Sequence, residues 1–264
     1  MNKLLLISIV LFFVLQSGLA QTPKWVEKGK QAVFSVVTYD KNDKMLNTGN
    51  GFFVSESGLA LSDYKLFKNA ARAVIITADG KQMPVNSILG ASDLYDVVKF
   101  QVGITDKKVA SLEVAATAPV AGAAVWLLPY STQKSIACES GSVKDVSKME
   151  GEYHYYTLNM PLKDKMVSCP VMNSDGKVLG LAQKSSAADS ASICYAVGAN
   201  FALAQKISAL SIGDAALNSI GIRKALPDDQ DAATVYLYMA ASQLSTADYE
   251  QMLNAFIRQS PTNT

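Results

Sequence analysis

The chain has 264 residues, of which 49% are hydrophobic and 18% are charged, a composition typical of a folded globular protein rather than a disordered one. Its 24 lysine and arginine residues nearly balance its 23 aspartate and glutamate residues. Because nucleic acids and anionic membranes are bound through basic patches, this balance argues against both as partners. The length suits one domain of ordinary size with a small appendage.

The first twenty residues have the pattern of a secretory signal peptide. Lys3 precedes an apolar run from Leu4 to Leu15, and small residues follow at Gly18 and Ala20. The run is short for a transmembrane helix, so an uncleaved anchor is only the alternative. We predict residues 1–20 as a signal peptide that is cleaved before Gln21. The mature chain is then secreted or periplasmic, with no membrane attachment after cleavage.

The three cysteines of the chain are Cys138, Cys169 and Cys194. Export would permit a disulfide, and the odd count leaves at least one thiol unpaired within the chain. Three pairings are possible, and the sequence does not choose among them.

Short runs rich in β-branched and aromatic residues recur from residue 32 onward, with turn residues between them. Many short strands at regular spacing indicate an all-β sandwich or barrel. Asp175-Gly176 predicts a tight hairpin turn, and Pro170 is placed to open the first strand of that hairpin. The other predicted strands are Ala32–Tyr39, Thr48–Val54, Leu59–Ser62, Ala73–Thr77, Lys81–Val85 and Val97–Val102.

Five motifs in sequence order resemble trypsin-like serine proteases of the HtrA/Deg type. Gly49–Val54 with Gly58–Ser62 is similar to that family's Gly-Ser-Gly-Phe-x-Val and Gly-x-Ile-Leu-Thr-Asn pair. Ala91–Val102 is similar to the segment that carries the triad aspartate, and Cys138–Val143 is similar to Val-Thr-Ser-Gly-Ile-Val. The stretch from Cys194 resembles Gly-Phe-Ala-Ile-Pro-x-Asn, and the segment before Pro170 resembles the nucleophile loop. The resemblance implies a mostly β fold, a chymotrypsin-like double β-barrel over residues 21–212.

The resemblance also places each catalytic residue, and two of the three positions carry other side chains. Lys65 stands at the histidine position, Asp96 matches the triad aspartate, and Val167 stands at the position of the nucleophilic serine. The family's loop reads Gly-Asn-Ser-Gly-Gly-Pro, so Lys165 replaces its leading glycine. Acyl transfer by this mechanism needs a nucleophile, a base, a group that orients the base, and two N–H donors for the oxyanion. Only the orienting group survives as a side chain, so we predict a proteolytically inactive pseudoprotease.

Two rescue candidates follow the lost serine. Ser168 could form a serine–lysine dyad with Lys65, although neighbouring residues of an extended segment point in opposite directions. Cys169 could act as a thiol nucleophile, although no base is predicted beside it to generate the thiolate. The resemblance further implies that Tyr195, Ala196 and Val197 belong to a strand that lines the specificity pocket.

The sequence contains no pattern for a metal or a cofactor. One histidine and scattered carboxylates do not make a zinc-ligand set, and glycine-rich phosphate loops are absent. His154, the single histidine, lies among tyrosines and has no partner pattern, which favours a structural strand residue.

Residues 213–264 read as an α-helical segment. Phe201–Leu210 and Asp214–Leu226 are predicted as helices, and Pro227 with two acidic residues opens a further one. Ser245 and Asp248 have the spacing of a capping box for the last helix. The last two helices form a hairpin that faintly resembles one tetratricopeptide repeat, which cannot stand alone. We therefore expect it to pack on the barrel, to form a homo-oligomer contact, or to be the remnant of an array.

The sequence therefore predicts an exported trypsin-like peptidase-fold protein that binds a peptide or protein without cutting it. We expect the ligand to bind in one of two ways: as an extended segment added to an edge strand of a barrel, or through the helical tail. A serine endopeptidase with non-standard catalytic residues and a structural envelope scaffold are the alternatives, because fold alone does not decide function.

Overall fold

The computed structural model describes residues 23–105, 108–133, 138–184 and 192–259. The predicted signal peptide lies outside these residues. Among the helices of the described ranges, none has the length and apolar character needed to cross a lipid bilayer.

The first half of the protein is a closed antiparallel barrel of six strands. Its strands lie in the order β1-β2-β3-β6-β5-β4, so each has two paired neighbours. The strands are β1 (Val33–Tyr39), β2 (Met45–Phe53), β3 (Leu59–Ser62), β4 (Arg72–Ile76), β5 (Gln82–Ser92) and β6 (Val97–Val102). The one large difference from the predicted strands is β5, which was predicted to end at Val85 and continues to Ser92. The extension pairs with β6, and the pairing contains two register shifts.

The second half is another closed barrel of six strands, in the order β10-β11-β12-β9-β8-β7. Its strands are β7 (Ala124–Leu127), β8 (Glu139–Lys148), β9 (His154–Asn159), β10 (Pro170–Met172), β11 (Val178–Gln183) and β12 (Ile193–Gly198). Pro170 opens β10, as predicted, and Gly176 takes a positive φ of 74° in the turn between β10 and β11. The predicted chymotrypsin-like double β-barrel is confirmed.

Closure of both barrels limits binding by strand addition. An added segment would have to pair with a strand end that extends past one of its neighbours. β8 has such an end, because Glu139–Ser142 pair with β7, whereas Asp145–Lys148 pair with β9 alone among the described strands.

Alternation along the strands gives each barrel its own core and leaves a third set of side chains between them. Phe53 lies inside the first barrel with its ring centroid 4.6 Å from that of Phe34, whereas its neighbour Phe52 points to the opposite face. Phe52 and Leu61 of the first barrel pack with Leu181 and other buried residues of the second. This shared cluster fixes the two barrels against each other, so residues from both can build one site.

The described helices are short until the end of the chain. They are α1 (Val26–Gly29), α2 (Tyr64–Phe67), α3 (Ala199–Ala204), α4 (Ala215–Asn218), α5 (Gln230–Ala240) and α6 (Thr246–Gln259), with 3-10 turns at Lys30–Ala32, Asp164–Met166 and Ala209–Gly213. Asp229 caps α5 by accepting a hydrogen bond from the N–H of Ala232, at 2.8 Å. Ser245 and Asp248 make the predicted cap of α6, in which the Ser245 hydroxyl accepts from the Asp248 N–H at 3.2 Å.

Two predicted helices are wrong. The helix predicted over Phe201–Leu210 ends at Ala204, because Gln205 leaves the helical conformation. The backbone of Gln205 then crosses β5 at Gly90. It passes so close that a Cβ on Gly90 would lie 2.5 Å from the Gln205 carbonyl carbon. The helix predicted over Asp214–Leu226 is limited to α4. Beyond it the chain runs beside β5, where the Ile88 N–H donates to the Arg223 carbonyl at 2.8 Å.

The C-terminal helices pack on the first barrel. Ala233, Tyr236 and Leu237 of α5 and Met252 of α6 belong to the same buried cluster as the aromatic core of that barrel. Of the three arrangements considered for the tail, this is the one observed. The domain boundary at residue 213 and the tetratricopeptide likeness stay predictions.

Candidate functional site at the barrel junction

A cleft of roughly 420 Å³ opens where the two barrels meet. We call it the junction cleft. The first barrel and the start of α2 supply one wall, and the segment before β10 supplies the other. Its lining residues are Ser35, Thr48, Gly49, Asn50, Asp63, Leu66, Tyr130, Asp164, Lys165, Val167 and Ser168.

The wall from the second barrel is the segment that aligns with the nucleophile loop, and we call Asp164–Ser168 the 164–168 loop. It begins as a 3-10 turn, Asp164–Met166, and continues through an extended Val167. Ser168 then takes a left-handed φ of 65°, a conformation that favours glycine. The family motif has glycine at this position, so the alignment of the loop is consistent with its backbone.

Asn50 ties this loop to the first barrel. Its side-chain Nδ2 donates to the carbonyl oxygen of Lys165 at 2.9 Å and to that of Val167 at 2.7 Å. On the other side, the Ser168 N–H donates to the Ala182 carbonyl of β11 at 2.9 Å. The loop is therefore held between the two barrels.

The loop offers poor support for an oxyanion. The Val167 N–H is directed into the 3-10 turn, towards the Asp164 carbonyl at 3.4 Å. Oxyanion stabilisation requires backbone N–H groups that are aimed at the reacting oxygen. In this loop the Lys165 and Val167 peptide groups instead direct their carbonyl oxygens at the Asn50 side chain. The Val167 side chain offers no nucleophile.

Lys65 and Asp96, which the resemblance predicts at the positions of the family's base and its orienting acid, meet as an ion pair. Lys65 Nζ lies 2.8 Å from Asp96 Oδ2, and the Lys65 backbone N–H donates to Asp96 Oδ1, also at 2.8 Å. The hydrogen bond to Asp96 raises the pKa of Lys65 above its ordinary value. Because a general base must be neutral near pH 7, this pairing opposes the serine–lysine mechanism. Lys65 is also absent from the lining of the junction cleft.

Ser168 meets a different partner from the one predicted. Its hydroxyl lies beside the buried carboxyl of Asp63, and the serine is only 1% exposed. Neither Asp63 Oδ1 nor Ser168 Oγ makes a hydrogen bond within the described residues. Burial, with a smaller effect from Asp96, raises the pKa of Asp63 to about 7. A hydroxyl enclosed in this way cannot attack a peptide carbonyl without movement of the loop.

The three cysteines are described, and all have free thiols. Cys169 is fully buried, and burial strongly raises its pKa. Burial also raises the pKa of Cys138 to about 11 and that of Cys194 to about 12. Because the thiolate is the nucleophile, these environments do not activate Cys169.

The strand proposed to line a specificity pocket lies in the middle of its sheet. Tyr195, Ala196 and Val197 of β12 pair with β11 on one side and with β9 on the other. Ala196 and Val197 are fully buried, so only the half-buried Tyr195 offers side-chain surface. His154 lies at the start of β9, its ring stacked against Tyr156 at 6.5 Å. Within the described ranges no group of histidine, cysteine and carboxylate residues could hold a metal ion.

Asp63 and Asn50 were missed by the sequence reasoning. The sequence did offer a sign of Asp63, because the family's motif has asparagine or alanine near this position, whereas this chain has a carboxylate. Asn50 lies 115 and 117 residues from the carbonyls that it binds, and no local pattern predicts such contacts.

Comparison with known proteins agrees with this geometry. The family model of the trypsin-like peptidase domain matches residues 49–181, half of the chain. The chain belongs to this family. The matched range includes the positions of Lys65, Asp96 and Val167.

The solved structure of the active form of the Rv3671c protease from M. tuberculosis is similar to this protein, with a TM-score of 0.58 and 17% identity. The match covers 76% of this chain and 86% of the other, and it supports the shared fold. The anti-sigma-I factor RsgI9 of Acetivibrio thermocellus is 23% identical over 155 residues. That match covers 57% of this chain but only 21% of RsgI9, so the chain spans about a fifth of that relative.

Proposed function

We propose that the protein is an exported, proteolytically inactive member of the trypsin-like peptidase family that binds a peptide or protein segment in the junction cleft. The observation that carries the proposal is the chemistry at the family's catalytic positions. Val167 stands where the nucleophile would be, and the pKa of Lys65 is raised by its bond to Asp96. The cleft remains as a groove between the barrels, with its reacting groups replaced.

The cleft has the mixed character that suits a peptide. Leu66 and Val167 offer apolar surface, while Ser35, Thr48 and Tyr130 offer hydroxyl groups. Small-molecule and peptide sites commonly combine apolar walls with a few polar groups that set orientation. The Asp164 carboxylate on the cleft wall is paired with Lys184 at 2.6 Å, so it does not dominate the charge of the site.

Binding to immobilised 12-residue peptides that tile the casein sequence tests the proposal. Val167→Arg should fill the cleft with a long charged side chain and weaken binding of any captured peptide at least about tenfold, which corresponds to about 1.4 kcal/mol. Val120→Arg is the matched control, because Val120 is 76% exposed and does not line the cleft. Circular dichroism checks that both variants fold.

Equal loss in both variants, or no captured peptide at all, would contradict binding in the cleft and favour the inert-scaffold alternative. Cleavage of the captured peptides would favour the endopeptidase alternative. Homo-oligomerisation through the C-terminal helices remains part of the proposal, supported by the outward-facing Tyr238 and Val235 of α5 and Ile257 of α6. Sedimentation of Tyr238→Glu beside the unchanged protein tests it.

A further inference from the structure

Two buried polar side chains, those of Asp63 and Ser168, interact behind the 164–168 loop. Asp63 is 5% exposed and Ser168 is 1% exposed, and both line the junction cleft. Asp63 Oδ1 and Ser168 Oγ have no hydrogen-bond partner within the described ranges. Buried polar groups are normally satisfied, and those that are not commonly mark a place where strain is stored.

The charged form of Asp63 has little support from its surroundings. Burial and the nearby Asp96 carboxylate disfavour it, whereas the Ser168 hydroxyl and Lys65 favour it more weakly. The Lys65 ammonium is already engaged by Asp96 at 2.8 Å. Asp63 in turn raises the pKa of the Cys169 thiol, which lies behind the same loop. The other titratable groups on the cleft wall are Tyr130, Lys165 and Asp164, the last paired with Lys184.

The loop above Asp63 is attached at single residues. Two hydrogen bonds from Asn50 join it to the first barrel, whereas the Ser168 N–H, the Asp164–Lys184 ion pair and the buried Met166 side chain join it to the second. Ser168 itself is in the left-handed region, which is unfavourable for a residue with a Cβ. A short strained segment that contributes no strand to either barrel can open locally, which does not require the barrels to unfold.

We propose that Asp63 is a pH-dependent latch, in which ionisation of its buried carboxyl opens the 164–168 loop and exposes the floor of the junction cleft. The neutral carboxyl tolerates burial under the closed loop. The carboxylate has only the Ser168 hydroxyl and the charge of Lys65 to support it there, so it gains more from the water or ligand donors that reach it when the loop opens.

The direction of the pH dependence follows from linkage. In the closed loop the pKa of Asp63 is raised to about 7, whereas an Asp63 reached by water should titrate near the ordinary value of about 4. The closed state is therefore fully favoured below about pH 4 and loses stability as the pH rises to about 7. Above about pH 7 the balance no longer changes, because Asp63 is ionised in both states.

Amide hydrogen exchange in the ligand-free protein tests the latch. The Ser168 amide, bonded to Ala182, reports on the loop, and the Leu158 amide in the middle of β9 reports on the barrel. Asp63→Asn is the matched variant, since it keeps the size of the side chain and removes the titration. The ratio of rates between the unchanged protein and the variant cancels the intrinsic pH dependence of exchange.

For Ser168 this ratio should rise by up to about tenfold per pH unit from pH 5 to pH 7 and then level off. Ser168→Ala retains Asp63 and should keep the rise. A ratio that does not change with pH would overturn the latch, and so would an equal rise at Leu158, which would indicate loss of the whole barrel.

The consequence for ligands rests on the proposed function. If the junction cleft binds peptides, affinity for a captured casein peptide should increase between pH 5 and pH 7 in the unchanged protein and not in Asp63→Asn. The exchange measurement is made without peptide, so it tests the latch alone. Absence of peptide binding would therefore contradict the proposed function without contradicting the latch.

Discussion

The Lys65 ammonium and the Asp96 carboxylate lie 2.8 Å apart. The resemblance to the family predicts these two residues at the positions of its general base and of the acid that orients that base. A lysine whose pKa is raised by a carboxylate holds its proton near pH 7. This protonation opposes a role for Lys65 as a general base.

Lys65→Met should change stability little. The Lys65 side chain is 78% exposed and that of Asp96 is 17% exposed, so water screens the lysine end of the pair, and we expect it to contribute about 0.2–1 kcal/mol. We expect the free energy of unfolding in urea to fall by less than about 1 kcal/mol. A loss of several kcal/mol would contradict the description of this pair as a surface contact.

Asn50→Ala should loosen the 164–168 loop. The substitution leaves the Lys165 and Val167 carbonyls without their donor, and losing buried hydrogen bonds of this kind costs about 1–3 kcal/mol. Urea unfolding should show this loss, and the Ser168 amide should exchange faster. Asn47→Ala is the control, because Asn47 is exposed and makes one long bond, 3.3 Å, to Leu66. Equal effects of the two substitutions would contradict a special role for Asn50.

Ser168→Gly should stabilise the protein. Glycine adopts a φ of 65° without a Cβ penalty, and the substitution also removes a buried hydroxyl that has no hydrogen bond in the described structure. After the entropy cost of glycine, the net gain should be about 0.5–1 kcal/mol in thermal or urea unfolding. Ser168→Ala separates the two effects, since it removes the hydroxyl and keeps the strain. Destabilisation by Ser168→Gly would show that the serine makes a favourable interaction that this account lacks.

The cysteines should react with N-ethylmaleimide in a fixed order. Cys138 is partly exposed, whereas Cys169 and Cys194 are fully buried. At pH 7.5 in native buffer, mass spectrometry should find label on Cys138 before the other two, which should react only after unfolding in urea. Early labelling of Cys194 would contradict its burial in the second barrel.

The strand pattern and the family motifs predicted most of the double barrel. Val33–Tyr39, Leu59–Ser62 and Val97–Val102 were visible because alternation and β-branched residues are local properties. The helix expected over Phe201–Leu210 failed because the crossing of Gly90 by Gln205 is a tertiary contact that overrides local propensity.

The site divides in the same way. Lys65, Asp96 and Val167 could be assigned to the family's catalytic positions because their motifs are continuous in sequence, and these assignments stay predictions. The partners that decide the chemistry could not, since Asp63 meets Ser168 and Asn50 meets Val167 only after the barrels pack together. Raised or lowered pKa values arise from burial and neighbours, and neither is written in a local pattern.

Incubation of the mature chain with unfolded casein, read by mass spectrometry, tests the central claim most directly. Ser168→Ala and Lys65→Ala variants are treated in parallel. We predict intact casein in every sample, because Val167 offers no nucleophile and the Ser168 hydroxyl is enclosed beside Asp63. Cleavage by the unchanged protein that is lost in either variant would contradict it and establish a working serine endopeptidase.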